Sequence, residues 1–185
     1  MTGLIFLIIA IITIATIVSI ISIYNSLNMR RNQIQNAFSS LDALFIKRND
    51  LIPNLVTVVK QYTNYEKDVL EKITQLRQLK SHATEYAADS EISEMMKQIM
   101  IQVENYPNLK ASSQFSNLQY SWNESEEQIA ASRRYLSASI TDYNNGLSIF
   151  PGNIIGANFG FKKQEWQMAS ETQRQNVNAE DLFNK

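Results

Sequence analysis

The side chains that could carry out chemistry are few. The sequence has one histidine, His82, and no cysteine. Disulfides, thiolate metal sites and cysteine nucleophiles are therefore excluded, and imidazole catalysis would have to use His82. Because His82 lies between Ser81 and Ala83 in an expected connecting segment, with no nearby metal-binding side chains, a solvated loop histidine is favoured.

A carboxylate-bridged metal centre would be the natural catalytic site of a helical bundle, and it usually uses two Glu-x-x-His pairs. Leu79 occupies the position before His82 where such a pair needs glutamate. A carboxylate-only site remains an alternative, although helix surfaces carry such residues routinely; its candidates are Glu66, Glu104, Glu124 and Glu127. The sequence therefore predicts a protein that is not an enzyme and has no metal or organic cofactor.

Charge argues against a nucleic-acid partner. The chain has 17 basic and 18 acidic residues, for a formal net charge of -1. Nucleic-acid binding depends on a basic field that releases counterions, and this composition does not supply one. With 185 residues and 44% hydrophobic content, the chain fits one packed domain with appendages.

The elements that must position these residues begin with an apolar segment. Residues 4–23 contain no charged side chain, and at about 1.5 Å per residue they would span the roughly 30 Å hydrocarbon core of a bilayer. The preceding residues 1–3 form a short, uncharged stub, unlike the basic start of a signal peptide. We expect a single-pass, uncleaved transmembrane helix that contacts membrane lipid.

Flanking charge predicts its orientation. Positive residues follow the segment at Arg30, Arg31, Lys47 and Arg48, and none precedes it. By the positive-inside rule, the N-terminus should lie outside and the remaining chain in the cytoplasm.

Hydroxyl side chains recur every third residue within this segment, at Thr13, Thr16, Ser19 and Ser22. Such a row can mark close packing of membrane helices. Bonding of the hydroxyls back to their own helix is the favoured interpretation.

Beyond residue 24 the apolar positions step by three and four, the heptad pattern of coiled coils and helix packing. They are Phe38, Leu41, Phe45, Ile52, Leu55, Val59, Tyr62, Val69, Ile73 and Leu76. Arg48 and Glu66 are charged positions on this seam. Each is predicted to pair with a neighbouring helix, or else to reach water at the bundle edge.

Pro53 interrupts this pattern, since proline removes a helical hydrogen bond. Unbroken phase across Pro53 indicates a kink, whereas the similar lengths of residues 24–51 and 54–80 favour a turn, for which Asn49 and Asp50 are suitable. A turn predicts an antiparallel up-down bundle of four helices within residues 24–147, and a kink predicts three long helices.

A third helix is expected over residues 87–105, ending before Pro107. After a connection at residues 106–110, a last long helix alternates large residues with serines, which would let a neighbouring helix approach closely. Gly146 is its expected C-cap.

Residues 148–185 begin with an apolar, glycine-punctuated strap and end in a polar tail. We call residues 149–163 the strap, and within it residues 150–161 are predicted to fold back on the membrane-proximal end of the bundle, because their large apolar side chains would be costly to leave in water. The alternative is an interfacial or partner-binding loop at residues 149–163, with two lysines at its rim.

Ordered sequence segments resemble the LemA family of bacterial membrane proteins over nearly the whole chain. The strongest is KRNDLIPNLV at residues 47–56. Others follow in the family's order at residues 24–25, 36–42, 59–62, 66, 106–111, 127–129, 133–135, 142–144 and 150–153. The chain departs from the pattern at Phe38, where tryptophan is usual, and at Leu136-Ser137, which replaces a Tyr-Asn pair.

The resemblance implies an N-terminal anchor, a helical bundle and a bacterial inner or plasma membrane, without implying an activity. The function expected is a membrane-anchored scaffold with an unknown protein partner or self-association. A lipid-contacting module at residues 149–163 is the alternative, and an enzyme with an unrecognised carboxylate site is a weaker one. The candidate structural or interaction positions are Arg48, Asp50, Pro53, Glu66, Arg133, Arg134, Tyr143, Phe150, Pro151 and Gly152.

Overall fold

The computed structural model describes residues 2–62 and 89–165, and every regular element in these ranges is a helix. In chain order they are α1 (Thr2–Asn49), α2 (Leu51–Tyr62), α3 (Asp89–Val103), α4 (Pro107–Lys110), α5 (Ser113–Ser148) and α6 (Gly152–Asn158). The prediction of an all-α fold is confirmed. Glu66, His82 and the polar tail beyond residue 165 lie outside the described residues.

The chain divides into two compact units. We call Met1–Ala37 with Arg133–Lys185 the terminal unit, and Phe38–Ser132 the central unit. α1 and α5 each contribute residues to both units.

The first part of α1 is the apolar segment identified in the sequence. Its large side chains are exposed, as at Leu4, Phe6 and Ile17, and the helix is long and apolar enough to cross a membrane. The hydroxyls of Thr13 and Thr16 donate to the carbonyls of Ile9 and Ile12, each at 2.8 Å. These two hydroxyls therefore bond to their own helix, as the favoured interpretation expected.

α1 and α2 are separated by Asp50 alone. The amide of Asp50 still donates to the carbonyl of Ile46 at 3.0 Å, and only Pro53 lacks an N–H for the carbonyl of Asn49. One residue is too short to join two antiparallel helices, which needs about two to five. The predicted turn at Pro53 is therefore wrong, and the kinked helix is the arrangement found, with helical structure over Thr2–Gln61.

The core of the central unit lies among α2, α3, α4 and α5. Its buried residues occupy one side of each helix and are Ile52, Leu55, Val59, Ile92, Met96, Ile99, Val103, Leu109, Phe115 and Trp122. The steps from Ile52 to Leu55 and Val59 keep the heptad phase of α1, because the kink leaves the helix running. The expected connection at residues 106–110 contains the single-turn helix α4, which begins at Pro107, where a missing N–H costs nothing.

The terminal unit is built on antiparallel packing of α1 and α5. The Arg30 guanidinium donates to the Asp142 carboxylate at 2.9 Å, and the Gln33 amide donates to the Tyr135 hydroxyl at 3.0 Å. The residue numbers of the bonding partners on α5 decrease as those on α1 increase, so the two helices are antiparallel. Buried residues between them include Leu27, Ile34, Leu136, Ile140 and Tyr143.

Gly146 lies inside α5 rather than at its end, because the helix continues to Ser148. The predicted C-cap is therefore wrong. A Cβ atom on Gly146 would lie 3.2 Å from Cδ2 of Leu27 and 3.3 Å from Nη1 of Arg30. The glycine is explained by the close approach of α1, since a helix-interior glycine otherwise costs about 1 kcal/mol relative to alanine.

Replacing Gly146 by leucine should destabilise the protein by about 1 to 3 kcal/mol, because the new side chain would push into Leu27 and Arg30. Thermal unfolding of the full chain in detergent measures this. The exposed substitution Ala131→Leu on the same helix is the control and should change the midpoint little. Equal midpoints for the two variants would contradict the close contact at Gly146.

Candidate functional site

Arg48 is the most deeply buried charged side chain of the described residues. It lies in the last turn of α1 and is 1% exposed. Its position follows from the heptad steps Leu41, Phe45, Arg48 and Ile52, which direct it toward the core of the central unit.

Two other helices provide polar partners for Arg48. Its Nη1 donates to Oε1 of Glu126 on α5 at 3.0 Å and to Oγ of Ser93 on α3 at 3.2 Å. The Ser93 hydroxyl donates in turn to the same Glu126 oxygen at 3.0 Å. The three side chains form a closed hydrogen-bonded triangle that links α1, α3 and α5.

Aromatic rings flank the same guanidinium. Cζ of Arg48 lies 5.6 Å from the ring centre of Phe45 and 5.5 Å from that of Trp122. Both distances are within the range of cation–π attraction. We call Phe45, Arg48, Ser93, Trp122 and Glu126 the Arg48 cluster.

The contacts of the Arg48 cluster hold the Arg48 guanidinium in a fixed position. Burying a guanidinium costs several kcal/mol, which only well-formed bonds offset. The Arg48 side chain is 1% exposed and its Nη1 is already bonded to Glu126 and Ser93, so it offers little surface to an external anion. The geometry therefore favours a fixed connection among helices over ligand binding.

Asp50 and Pro53 lie at the kink beside this cluster and are both exposed. The Pro53 carbonyl accepts a hydrogen bond from the Thr57 hydroxyl at 3.0 Å. A surface groove follows this part of α2, lined by Pro53, Val56, Thr57 and Lys60. Pro53 thus kinks the helix, and its ring is exposed to solvent.

Arg133 and Arg134 lie at the start of the terminal unit's part of α5. Arg133 is half-buried and Arg134 is exposed. Arg134 lines a surface groove with Asp142, Asn145 and the small residues Ser137, Ala138 and Thr141. The two arginines therefore occupy different environments.

Tyr143 fastens the strap to α5. Its side chain is 1% exposed, and its hydroxyl donates to the carbonyl of Lys162 at 3.1 Å. Burial raises the pKa of the Tyr143 phenol, and the charge of Arg31 opposes that shift. The phenol therefore stays protonated at neutral pH and remains a donor.

Asn144 makes a second fastening one residue further along. Its Nδ2 donates to the backbone carbonyl of Gln164 at 2.8 Å, and its Oδ1 accepts from the backbone N–H of Gln164 at 3.0 Å. Together with the Tyr143 bond, these paired bonds hold residues 162–164 against two consecutive side chains of α5.

The strap itself turns back through a cis peptide bond between Phe150 and Pro151 and then forms α6. Gly152, Ile155 and Gly156 are buried. A side chain on Gly152 would overlap the carbonyl oxygen of Gly146, so glycine permits the contact between α6 and the end of α5.

Only some of the strap's large apolar side chains are buried. Ile155 is buried and Phe161 is half-buried, but Phe150 is 74%, Phe159 55% and Ile154 53% exposed. The described residues therefore leave these three side chains uncovered, and the expectation that something covers them stays a prediction. The backbone of the strap returns to α5, while one side of the strap remains exposed.

Sequence reasoning missed the partners of the charged residues. Glu126 was not among the carboxylates considered, although it directly follows the seam residue Ser125. Of those considered, Glu104 pairs with Lys110, and Glu124 accepts from Gln128 at 3.0 Å. Within residues 2–62 and 89–165, no group of three or more histidine or acidic side chains could hold a metal ion.

Over residues 2–62 and 89–165 the regular structure is helical, and one helix in these ranges is long and apolar enough to span a membrane. A model of the LemA family matches residues 37–180. Protein LemA of Metamycoplasma hominis is 27% identical over 165 residues, covering 86% of this chain and 75% of that protein. The chain belongs to the LemA family.

Replacing Arg48 by alanine should lower the free energy of unfolding by about 3 kcal/mol or more, because Glu126 and Ser93 would lose the cation that pairs with them. Denaturant unfolding of the detergent-solubilised chain measures this. Lys47→Ala is the matched control: Lys47 is exposed and donates to Gln128 at 3.1 Å, so its loss should cost under about 1 kcal/mol. Similar costs for both variants would show that burial of Arg48 contributes nothing special.

Proposed function

We propose that this protein is a membrane-anchored, non-catalytic scaffold of the bacterial inner or plasma membrane. α1 anchors it through residues 4–23, and its helical part lies in the cytoplasm. There it binds a protein partner or a second copy of the chain.

One observation carries this proposal. Within the terminal unit, the exposed apolar part of α1 continues without a break into the residues that pack against α5. A continuous helix fixes the distance between its residues, at about 1.5 Å per residue along its axis. A loop would instead allow the apolar part of α1 and the packed residues to move independently. The packed residues are therefore held at a fixed height from the proposed anchor, as a scaffold requires.

The chemistry of the described interior supports the same proposal. Among its buried polar side chains, Arg48 links three helices. Ser125 and Ser139 donate to the carbonyls of Ser121 and Tyr135 in their own helix, at 2.8 and 2.9 Å. These hydrogen bonds engage all three side chains within the protein, which leaves binding to the outer surface.

Orientation can be tested with single cysteines, because the chain has none. A membrane-impermeant maleimide added to intact cells, or to spheroplasts where an outer membrane exists, should label Thr2→Cys and spare Tyr120→Cys. Both residues are exposed, so only the membrane distinguishes them. The two sites should react equally after detergent lysis. Labelling of Tyr120→Cys before lysis would reverse the proposed orientation.

Scaffold activity can be tested by photo-crosslinking in cells. Large apolar side chains on the central unit are exposed at Ile101 (70%) and Tyr120 (72%), and such residues are those that a partner most often covers. A photoreactive phenylalanine at Ile101 or Tyr120 should give a discrete crosslinked species, whereas the exposed polar position Asn117 should not. The absence of any discrete species at both positions would contradict a partner on this surface.

A further inference from the structure

The strap has exposed apolar side chains that packing among residues 2–62 and 89–165 does not explain. Its outward side chains include Ile149 at 64%, Phe150 at 74%, Ile154 at 53% and Phe159 at 55% exposure. An apolar group of this kind in water is unfavourable, in proportion to the area exposed. Something outside the described chain is expected to cover it.

The antiparallel register gives the height of this group along α1. Arg30 bonds Asp142, and Gly146 lies opposite Leu27. Continuing the register by three residues on each helix places Ile149 level with Tyr24. Tyr24 directly follows the charge-free residues 4–23, so the end of α5 reaches the end of the apolar segment.

Aromatic contacts give the same height independently. The ring centre of Tyr24 lies 5.1 Å from that of Phe159 and 5.5 Å from that of Phe161. Tyrosine is enriched where membrane helices leave the hydrocarbon. The strap is therefore level with the boundary between lipid and water if residues 4–23 span the bilayer.

Basic side chains accompany the apolar ones. Lys162 and Lys163 are exposed, and the Arg31 guanidinium lies 5.5 Å from the ring centre of Phe161. Residues 149–163 include no acidic side chain, and Glu165 follows them two residues later. Basic residues beside an interfacial apolar group are suited to the anionic headgroups of the cytoplasmic leaflet.

We propose that the strap lies in the headgroup region of the membrane that α1 spans, with Ile149, Phe150, Ile154 and Phe159 against the acyl-chain boundary and Lys162 and Lys163 on anionic lipid headgroups. This inference rests on the proposed anchor. The strap then fixes the terminal unit to the bilayer surface at a second point, beside α1, and limits rotation of the protein about its anchor.

The test uses single-cysteine variants of the full chain, labelled with an environment-sensitive fluorophore and reconstituted into vesicles. The vesicles contain phosphatidylcholine alone or mixed with phosphatidylglycerol, with spin-labelled lipid as the quencher. Phe150→Cys and Ile154→Cys report on the strap. Ala138→Cys is the control in the same unit, eleven residues before Ile149 and so about 16 Å away along the helix, and Val18→Cys reports on the anchor.

We expect shallow spin labels to quench the fluorophores at positions 150 and 154 and to leave position 138 unaffected. Phosphatidylglycerol should strengthen the quenching at 150, and Lys162→Gln with Lys163→Gln should remove that increase. The expected change is about fivefold per lysine in the ratio of lipid-bound to free strap, or roughly 30-fold for both.

Three results would overturn the inference. Quenching at Val18→Cys without quenching at 150 and 154 would leave the anchor in place and reject the strap contact. No quenching at Val18→Cys would reject the anchor and the strap contact together. Energy transfer between labelled copies at position 150, without lipid quenching, would show that a second copy covers this surface.

Discussion

The antiparallel packing of α1 against α5 is the interaction on which the rest of the structure depends. In the terminal unit it buries Leu27 and Tyr143, and in the central unit it brings Arg48 to Glu126. Within each unit both helices keep a heptad phase, so one side of α1 faces one side of α5 along that unit. Small residues such as Gly146, Ser125 and Ser139 set the close separation that this packing requires.

The Arg48 cluster shows how one buried charge can specify an arrangement of helices. An apolar residue at position 48 would pack against many neighbours with similar energy. A guanidinium instead needs hydrogen-bond partners in particular places, and here they come from α3 and α5. Misaligned helices would leave a buried charge unpaired, at a cost of several kcal/mol. The kink that Pro53 makes lies next to this cluster and leaves the heptad phase of the helix unchanged.

The terminal unit combines a firmly held strap with an uncovered apolar surface. Side chains of Tyr143 and Asn144 fasten residues 162–164, and glycines allow α6 to approach the end of α5. Folding the strap back satisfies its backbone but turns Phe150 and Ile154 outward. For a protein proposed to sit at a bilayer, such side chains are stable where water is replaced by lipid.

The sequence by itself determined the helical class, the apolar segment and the seam with Arg48 on it, because periodicity and charge are local properties of the chain. It left open whether the strap folds back on the bundle or forms an interfacial loop. Only the tertiary structure decided that Glu126 and Ser93 pair with Arg48, that the helix kinks at Pro53, and that Gly146 is a contact rather than a cap. These depend on which residues of distant helices meet. Segment lengths pointed to a turn at Pro53, yet a first-turn proline leaves most helical hydrogen bonds intact, and packing of the continuing seam kept the helix running.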